Sequence, residues 1–339
     1  MRRWPAWLLG FTDIMEAVNA TAYAAYRYGL RKRERAAVPV ISVGNIAFGG
    51  TGKTPLVAAL ARTLLAAGAR PAILTRGYRR RESGPVVIWK SGPPGWEQVG
   101  DEPALLARAL PDVPIVVDPD RVRGAAIAVR ETGATHLLLD DGFQHWRLAR
   151  DLDIVAVEAS DPVCATAPRR EHPNALARAH AIVLSRVTDR TEAAAGMAVL
   201  GPYAPDAKIF ATRLVARGLH RGGERQPADS LKGVAVTAMA GIASPEGLIH
   251  TLGDLDANIT DMKFYSDHHR YSRREVEKIL AEADRTESLV VTTAKDIVKL
   301  PSDLSPRVAW LEVEAVPLFG SFEELLAPIL GSPKVESQA

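Results

Sequence analysis

Cysteine is nearly absent from this chain of 339 residues, since Cys164 is the single example. One thiol cannot form a disulfide within the chain or build a multi-thiolate metal site, and this usage is typical of reducing compartments. The charge is almost balanced, with a formal net charge of +2 and 24% charged residues. This composition excludes a disordered chain and a polycation that coats nucleic acid. We therefore expect a globular protein of about two domains, without a nucleic-acid partner.

Long uncharged apolar runs are also missing. The segment from Trp4 to Leu30 is apolar, but Asp13, Glu16, Asn19 and Arg27 interrupt it, so it does not supply the ~20 apolar residues of a membrane-spanning helix. On a helical wheel most of its apolar residues share one side, and Tyr23 breaks the pattern. The residues on the apolar side are Trp4, Trp7, Leu8, Phe11, Ile14, Met15, Val18, Ala22, Ala25 and Tyr26.

Two interpretations of this segment stay open. In the first, an amphipathic helix lies in the membrane interface, and the basic cluster from Arg31 to Arg35 is attracted to anionic lipid headgroups. In the second, the helix packs on the core of the protein itself. A secretory signal is disfavoured because Pro5 and the early acidic residues interrupt the apolar region.

From Val38 onward, short β-branched runs alternate with Ala/Leu-rich runs. This alternation predicts an α/β fold with a mostly parallel sheet and helices on both faces. Strands are expected at Val38–Val43, Ala72–Leu74, Ile115–Val117, His136–Asp140, Ile154–Val157, Ile182–Leu184, Val234–Ala238, Leu289–Thr293 and Val308–Leu311, with a small hairpin around Val86–Trp89. Helices are expected at Pro55–Ala67, Pro103–Ala109, Arg121–Glu131, Asn174–Ala179, after Pro245, at Arg273–Ala283 and at Phe322–Ile329.

We place a domain boundary near Gly201-Pro202, where the first set of alternations ends. Residues 1–36 then form the N-terminal helix and residues 37–200 a larger α/β domain. Residues 201–339 form a smaller α/β domain.

The stretch AFGGTGKTP, from Ala47 to Pro55, follows the first strand and precedes a predicted helix. It matches the P-loop in a looser form, with Ala47 where the strict pattern has glycine. The glycines let backbone N–H groups surround an anion, the lysine binds terminal phosphates, and a threonine hydroxyl ligates Mg²⁺. The predicted phosphate-binding residues are Gly49, Gly50, Thr51, Gly52, Lys53 and Thr54.

The stretch HLLLDDGFQH supplies a second element of a nucleotide site. Its apolar run delivers Asp140 and Asp141 to the carboxyl end of a predicted strand, where ligands bind in open α/β sheets. Adjacent carboxylates are costly at such a place unless a cation relieves them. Together the two elements predict a nucleoside triphosphate with Mg²⁺.

The phosphoryl acceptor stays open at this point, because water would make an ATPase or GTPase and a hydroxyl would make a kinase. The Asn-Lys-x-Asp element typical of guanine specificity is missing. The loop is also similar to that of partitioning-type ATPases, but Phe48 stands in place of their additional lysine. A membrane-associated P-loop ATPase switch that regulates a protein partner is the alternative hypothesis, although the sequence identifies no such partner.

Eight motifs occur along the chain in the order SVGNIAFGGTGKTP, TRGYRR, VGDEPALLA, DPDRV, DDGFQHWRLARDLDIV, GIASPEGL, DHH and TTAKD. In order and spacing they resemble those of the tetraacyldisaccharide 4'-kinase family of lipid A synthesis. The resemblance implies a kinase that uses MgATP, with the smaller domain closing over the active site. It also implies a lipid disaccharide acceptor and a peripheral or monotopic position at an anionic membrane surface, on the cytoplasmic face of the bacterial inner membrane.

The resemblance also assigns roles to individual residues. It implies that Asp101 and His268 form the acid-base pair, and that Arg121 offsets charge on the transferred group. The residues it places around the metal and the nucleotide phosphates are Glu102, Asp140, Asp141 and Gln144. Arg76 and Arg170 are expected in the active site with less defined roles.

Without the resemblance these residues have simpler interpretations. Asp101 and Glu102 before Pro103 suit a helix start, a lone histidine such as His268 is more often a surface residue, and Arg121 and Arg123 fit a solvated helix face.

The sequence departs from the family in two places. A longer glycine-rich loop is shortened to a segment that keeps residues 168–171, and the Thr-Glu-Lys-Asp motif appears as Thr293-Ala294-Lys295-Asp296. The resemblance therefore does not define the contacts to the acceptor, and the alternatives are an altered acyl or sugar preference and a different lipid acceptor. Lys295 and Asp296 have a structural interpretation in either case.

Overall fold

The computed structural model describes residues 6–78, 80–81, 83–88 and 95–331, with side chains from residue 12 onward. Within these residues the chain forms ten α-helices and a 13-stranded sheet. The strands are β1 Val40–Gly44, β2 Pro71–Thr75, β3 Val86–Ile88, β4 Ile115–Val117, β5 His136–Asp140, β6 Leu152–Glu158, β7 Ala181–Ser185, β8 Lys208–Arg221, β9 Glu224–Gln226, β10 Ala235–Ala240, β11 Asn258–Phe264, β12 Leu289–Thr293 and β13 Ala309–Phe319. The helices are α1 Ala6–Arg27, α2 Lys53–Ala66, α3 Trp96–Val99, α4 Asp101–Ala109, α5 Arg121–Thr132, α6 Arg190–Leu200, α7 Glu246–Asp254, α8 Arg273–Arg285, α9 Ala294–Ile297 and α10 Phe322–Leu330.

The sheet has the strand order β11-β10-β12-β13-β8-β7-β6-β1-β5-β2-β4-β3, and β9 pairs with β8 beside this path. Neighbouring strands are parallel except in the pairs β3 with β4, β8 with β9 and β8 with β13. The predicted mostly parallel sheet is therefore confirmed. The phosphate-loop strand β1 lies between β5 and β6, well inside the sheet.

Helices cover both faces of the sheet, as predicted. Along β1, Ile41 points to a core that includes Leu60 of α2, and Val40 points to a core that includes Ala128 of α5. Both valine and isoleucine are almost fully buried, because successive strand residues point to opposite faces and each face has a helix layer.

The long antiparallel strands β8 and β13 join two parallel parts of the sheet. The predicted domain boundary falls in the 3₁₀ turn Gly201–Tyr203, just before β8. After β13 the chain returns to the first part, where Leu326 of α10 shares a core with Leu60 of α2. The division into residues 1–36, 37–200 and 201–339 stays a prediction.

Three local predictions differ from the structure. Helix α6 was not predicted, because its Ala-rich sequence includes Gly196 and lacks a strong apolar period. The segment predicted as a helix at Asn174–Ala179 is a 3₁₀ helix, Pro173–Arg178. The expected hairpin around Val86–Trp89 is wrong, since β3 pairs with β4 instead, and Trp89 lies outside the described residues.

The N-terminal helix α1 has one side on the protein and another side exposed. Tyr23 packs on Trp146, with ring centroids 6.0 Å apart, which explains why it breaks the apolar pattern. Ile14 and Val18, on the predicted apolar side, are 59% and 56% exposed. Among the described residues no helix combines the length and the apolarity needed to cross a bilayer. Binding of α1 to a membrane surface stays a prediction.

Candidate active site

The loop after β1 forms the predicted phosphate cradle. Gly49 and Gly52 have φ values of 112° and 73°, a conformation that side chains rarely adopt. A Cβ atom at Gly52 would lie 3.1 Å from the Cβ atom of Ser185. Helix α2 begins at Lys53, directly after these glycines. Because the first N–H groups of a helix have no partner within it, they are available to an anion.

Thr51 is fixed at the centre of this loop. The side-chain amide of Asn45 donates to Thr51 Oγ1 at 3.2 Å, and Ser185 Oγ donates to the Thr51 carbonyl at 2.9 Å. All three residues are buried. These two hydrogen bonds fix the position of Thr51 through its side chain and its backbone carbonyl.

The two predicted carboxylates have opposite surroundings. Asp140 ends β5, is 2% exposed, and its Oδ2 atom has no hydrogen-bond partner among the described residues. Asp141 follows in a left-handed conformation, with a φ of 57°. Its carboxylate lies 3.5 Å from Lys53 Nζ and 2.7 Å from a guanidinium nitrogen of Arg170.

These surroundings move the two pKa values apart. Burial raises the pKa of Asp140 to about 7, and the charges of Glu102 and Asp141 act in the same direction. Burial also disfavours ionised Asp141, but Lys53 and Arg170 outweigh it and hold the pKa of Asp141 far below its usual range. A cation beside Asp140 would favour its ionised form. The pair therefore suits a divalent cation.

Glu102 and Thr54 complete the predicted metal set. Thr54 is the second residue of α2 and Glu102 the second residue of α4. In the described part of the chain, no group of three or more His, Cys, Asp or Glu side chains is arranged to hold a metal ion. Mg²⁺ at nucleotide sites usually takes one or two carboxylates and adds phosphate and water oxygens. This oxygen-donor set fits Mg²⁺ bound together with a triphosphate.

Asp101 and His268 contact each other, although 167 residues separate them. His268 Nδ1 lies 2.7 Å from Asp101 Oδ2, and the Tyr78 ring stands 5.6 Å from the imidazole. Gly100, with a φ of 99°, is the N-cap residue of α4, and Asp101 is the first residue of that helix. His268 itself has a φ of 60°. The two residues that the resemblance pairs therefore lie within hydrogen-bond distance of each other.

Burial, His268 and Lys295 have the largest effects on the pKa of Asp101. Burial alone would raise it, but the hydrogen bond with His268 and the charge of Lys295 lower the pKa of Asp101 to about 2. The carboxylate is therefore ionised at neutral pH and accepts a hydrogen bond from an imidazole.

Lys295 is a candidate site residue that its motif did not predict. Its Nζ atom lies 3.3 Å from Asp267, 3.8 Å from Asp101 and 3.9 Å from Glu102. Behind it, Asp296 and Lys299 form a fully buried ion pair at 2.6 Å. The motif TTAKD gave only a structural interpretation of this lysine, and the fold shows that three carboxylates surround it.

Arg121 and Arg123 lie in different surroundings. The interpretation as a solvated helix face is correct for Arg123 but not for Arg121. Arg123 is exposed and pairs with Asp118 at 2.7 Å. Arg121 is 4% exposed, donates to the Asp118 carbonyl at 2.7 Å, and leaves its Nε atom without a partner in the described structure. Burial lowers the pKa of Arg121 to about 10, against the charges of Asp140 and Asp141. Arg121 is therefore a buried cation beside the paired carboxylates.

Gln144 and Arg170 lie next to the cradle. The Gln144 amide donates to the Asn45 carbonyl at 2.8 Å and to Glu171 at 2.7 Å. It therefore connects the residues just before the phosphate loop to Glu171. Arg170 pairs with Asp141 and lies 5.2 Å from the centre of the Phe48 ring. Arg76 is exposed and acts on Arg121 through its charge. Asn45 and Glu171 were not predicted as site residues, although Asn45 belongs to the motif SVGNIAFGGTGKTP and Glu171 to the retained segment 168–171.

Comparisons with known proteins agree with the family resemblance seen in the sequence. The family model described as Tetraacyldisaccharide-1-P 4'-kinase matches residues 4–330. The tetraacyldisaccharide 4'-kinase of Anaeromyxobacter sp. (strain Fw109-5) is 39% identical over 329 residues, which cover 91% of this chain and 86% of the relative. The tetraacyldisaccharide 4'-kinase of Paramagnetospirillum magneticum is 41% identical over 297 residues, which cover 85% and 86%.

A solved structure is similar over almost the whole chain. The crystal structure of the "apo" form of LpxK from Aquifex aeolicus in complex with ATP matches with a TM-score of 0.73 and 28% sequence identity, over 96% of this chain and 98% of that chain. These matches confirm the predicted P-loop-type fold and the predicted kinase of lipid A synthesis. The chain belongs to the tetraacyldisaccharide-1-P 4'-kinase family.

Proposed function

We propose that the protein transfers the terminal phosphoryl group of ATP to the 4'-hydroxyl of a tetraacyldisaccharide 1-phosphate. The observation that carries the proposal is the 2.7 Å contact between Asp101 and His268. Lys295 connects this pair to Glu102, whose charge acts on Asp140 beside Lys53. A base for a hydroxyl and a cradle for phosphates are thus linked through adjacent charged residues.

Each group has a distinct part in this reaction. The loop N–H groups and Lys53 bind the phosphates, and Arg121 offsets the charge on the transferred group. Mg²⁺, held by Thr54, Glu102, Asp140 and Asp141, would neutralise phosphate charge when bound. As the acceptor oxygen bonds to phosphorus and ADP leaves, Asp101 takes the hydroxyl proton. His268 orients Asp101, a modest contribution because positioning and electrostatics dominate phosphoryl transfer.

A membrane surface is the proposed place of reaction, because the acyl chains of the acceptor remain in the bilayer. The exposed Ile14 and Val18 of α1, together with the basic segment from Arg31 to Arg35, suit an interface that contains anionic lipid. We assign the protein to the cytoplasmic face of the inner membrane, where ATP is present, as a peripheral or monotopic enzyme.

A transfer assay tests the reaction directly. Radiolabelled ATP, Mg²⁺ and tetraacyldisaccharide 1-phosphate in detergent micelles should give labelled lipid in the presence of the wild-type protein. Asp101→Asn, which removes the base but keeps the shape of the side chain, should reduce the labelled product by orders of magnitude. A folded wild-type protein that labels no lipid would contradict the proposal.

The same assay addresses the ATPase switch. A kinase that needs its lipid acceptor should release little ADP until lipid is added, whereas a switch hydrolyses ATP without lipid. Rapid ADP release without lipid, and no labelled lipid after its addition, would favour the switch.

A further inference from the structure

Helix α1 contacts a segment that borders the active site. Three polar residues on one side of α1, spaced four and three positions apart, face residues 169–170. Asn19 donates its side-chain amide to the Arg170 carbonyl at 2.8 Å. Glu16 pairs with the Arg169 guanidinium at 2.6 Å, and the Arg169 N–H donates to Thr12 Oγ1 at 3.3 Å.

The far side of this segment lies against the phosphate loop. The Arg170 N–H donates to the Ile46 carbonyl at 2.7 Å, and the Phe48 N–H donates to the Pro168 carbonyl at 2.9 Å. Arg169 and Ala47 form an isolated antiparallel bridge between these contacts. Residues 168–170 therefore lie between α1 and the start of the P-loop.

The side chain of Arg170 continues the connection into the site. Its guanidinium pairs with Asp141 at 2.7 Å, and Asp141 in turn contacts Lys53. The backbone of the same residue is held by Asn19 on one side and by Ile46 on the other. Two hydrogen bonds from different elements thus fix the residue whose side chain orients a candidate metal carboxylate.

The two sides of α1 have different partners. Ile14 and Val18 each stand two positions after a residue of the polar side, about 200° away around the helix, and both are exposed. Glu16 is only 16% exposed in its pair with Arg169, so this contact is not a solvated surface pair. Attachment to a membrane would use only the apolar side of α1. It does not explain why the polar side contacts residues 169–170.

We propose that Asn19, which holds the Arg170 backbone, and Glu16, which holds the adjacent Arg169, are positioning residues for phosphoryl transfer. Both act on Asp141 through the position of residues 169–170. A change in the position of α1 then alters the active site as well as the attachment to the membrane. The inference rests on the proposed kinase reaction, and wild-type transfer in the same assay separates the two. No labelled lipid from wild type refutes the reaction, whereas normal transfer by the variants refutes only the positioning role.

Matched variants separate positioning from membrane attachment. Glu16→Gln and Asp13→Asn each remove one negative charge from α1, but Asp13 is exposed and Glu16 contacts Arg169. Both changes therefore have the same effect on attraction to anionic lipid. In detergent micelles at saturating lipid, Glu16→Gln and Asn19→Ala should each lower kcat about tenfold, while Asp13→Asn stays near wild type.

Three further measurements keep this test decisive. Flotation with phosphatidylglycerol and phosphatidylethanolamine vesicles, and thermal unfolding, should be similar for wild type, Glu16→Gln and Asp13→Asn. Combined with Arg170→Ala, the change Asn19→Ala should lower kcat no further, since both act on one side chain. Additive losses, or equal kcat for Glu16→Gln and Asp13→Asn, would overturn the proposal. If Asn19→Ala does not fold, the Glu16 and Asp13 pair decides the question alone.

Discussion

Replacing Asp140 by asparagine should stabilise the metal-free protein at alkaline pH while it abolishes transfer. The carboxyl group is 2% exposed, and burial with the charges of Glu102 and Asp141 raises its pKa to about 7. A raised folded-state pKa contributes stability below the unfolded pKa of 3.8. That stability is lost as the pH rises through about 7. At pH 8 the wild-type protein therefore carries a buried negative charge that asparagine lacks.

The size of the effect follows from the two pKa values. The difference between about 7 and 3.8, at 1.36 kcal/mol for each pKa unit, corresponds to about 4 kcal/mol at pH 8. For a chain of 339 residues, that free energy corresponds to a rise of roughly 6 °C in Tm. Near pH 4 the carboxyl group is protonated in the folded state, so the variant and the wild type should unfold at similar temperatures.

Thermal unfolding in EDTA at pH 8 and pH 4 measures this difference. Asp141→Asn is the matched control, because Lys53 and Arg170 stabilise the ionised form of its neighbour. This second variant should be less stable than wild type at pH 8. A lower Tm for Asp140→Asn at pH 8, or the same sign of change for both variants, would refute the assigned charge states.

Three further predictions concern the Asp101 pair and the ion pair behind it. Asp101→Ala should lower single-turnover transfer by orders of magnitude and leave calorimetric ATP affinity nearly unchanged, because Asp101 contacts His268 and Lys295. Wild-type stability to urea should fall as the pH drops from about 4 to 2, since the Asp101 pKa is lowered to about 2. His268→Ala should make that fall shallower, and an unchanged pH profile would contradict it. Lys299→Met leaves the fully buried Asp296 without its cation and should cost about 3–5 kcal/mol in urea unfolding. An equally stable variant would contradict a stabilising role for this ion pair.

The parts of the site that could be predicted from the sequence are those whose functional residues and secondary structure lie in one contiguous stretch. The phosphate loop was predictable because strand, glycines and helix start are contiguous, and the structure places them as expected at β1 and α2. Asp140 was predictable for the same reason, since a run of apolar residues fixes the strand end. The mostly parallel sheet followed from the alternation of strands and helices.

Contacts between distant segments did not follow from the residues. Asp101 before a proline has the same local pattern as an ordinary helix start, and His268 alone resembles a surface histidine. The family resemblance, rather than local physics, indicated that they work together. The structure supplies the missing step, because β8 and β13 connect the part that carries Asp101 to the part that carries His268.

For α1, the sequence predicted the apolar side of the helix but not the distant contacts of its polar side. An amphipathic wheel records which side of a helix is apolar, but it does not show what the polar side contacts. Glu16 and Asn19 counted in the sequence as interruptions that exclude a membrane span, yet they contact Arg169 and Arg170 more than 150 residues away. Glu16, one of the charges that prevent the helix from crossing a bilayer, thus also attaches it to the segment beside the phosphate loop. A helix at the interface of membrane and enzyme needs both sides, so its polar residues are as informative about function as its apolar ones.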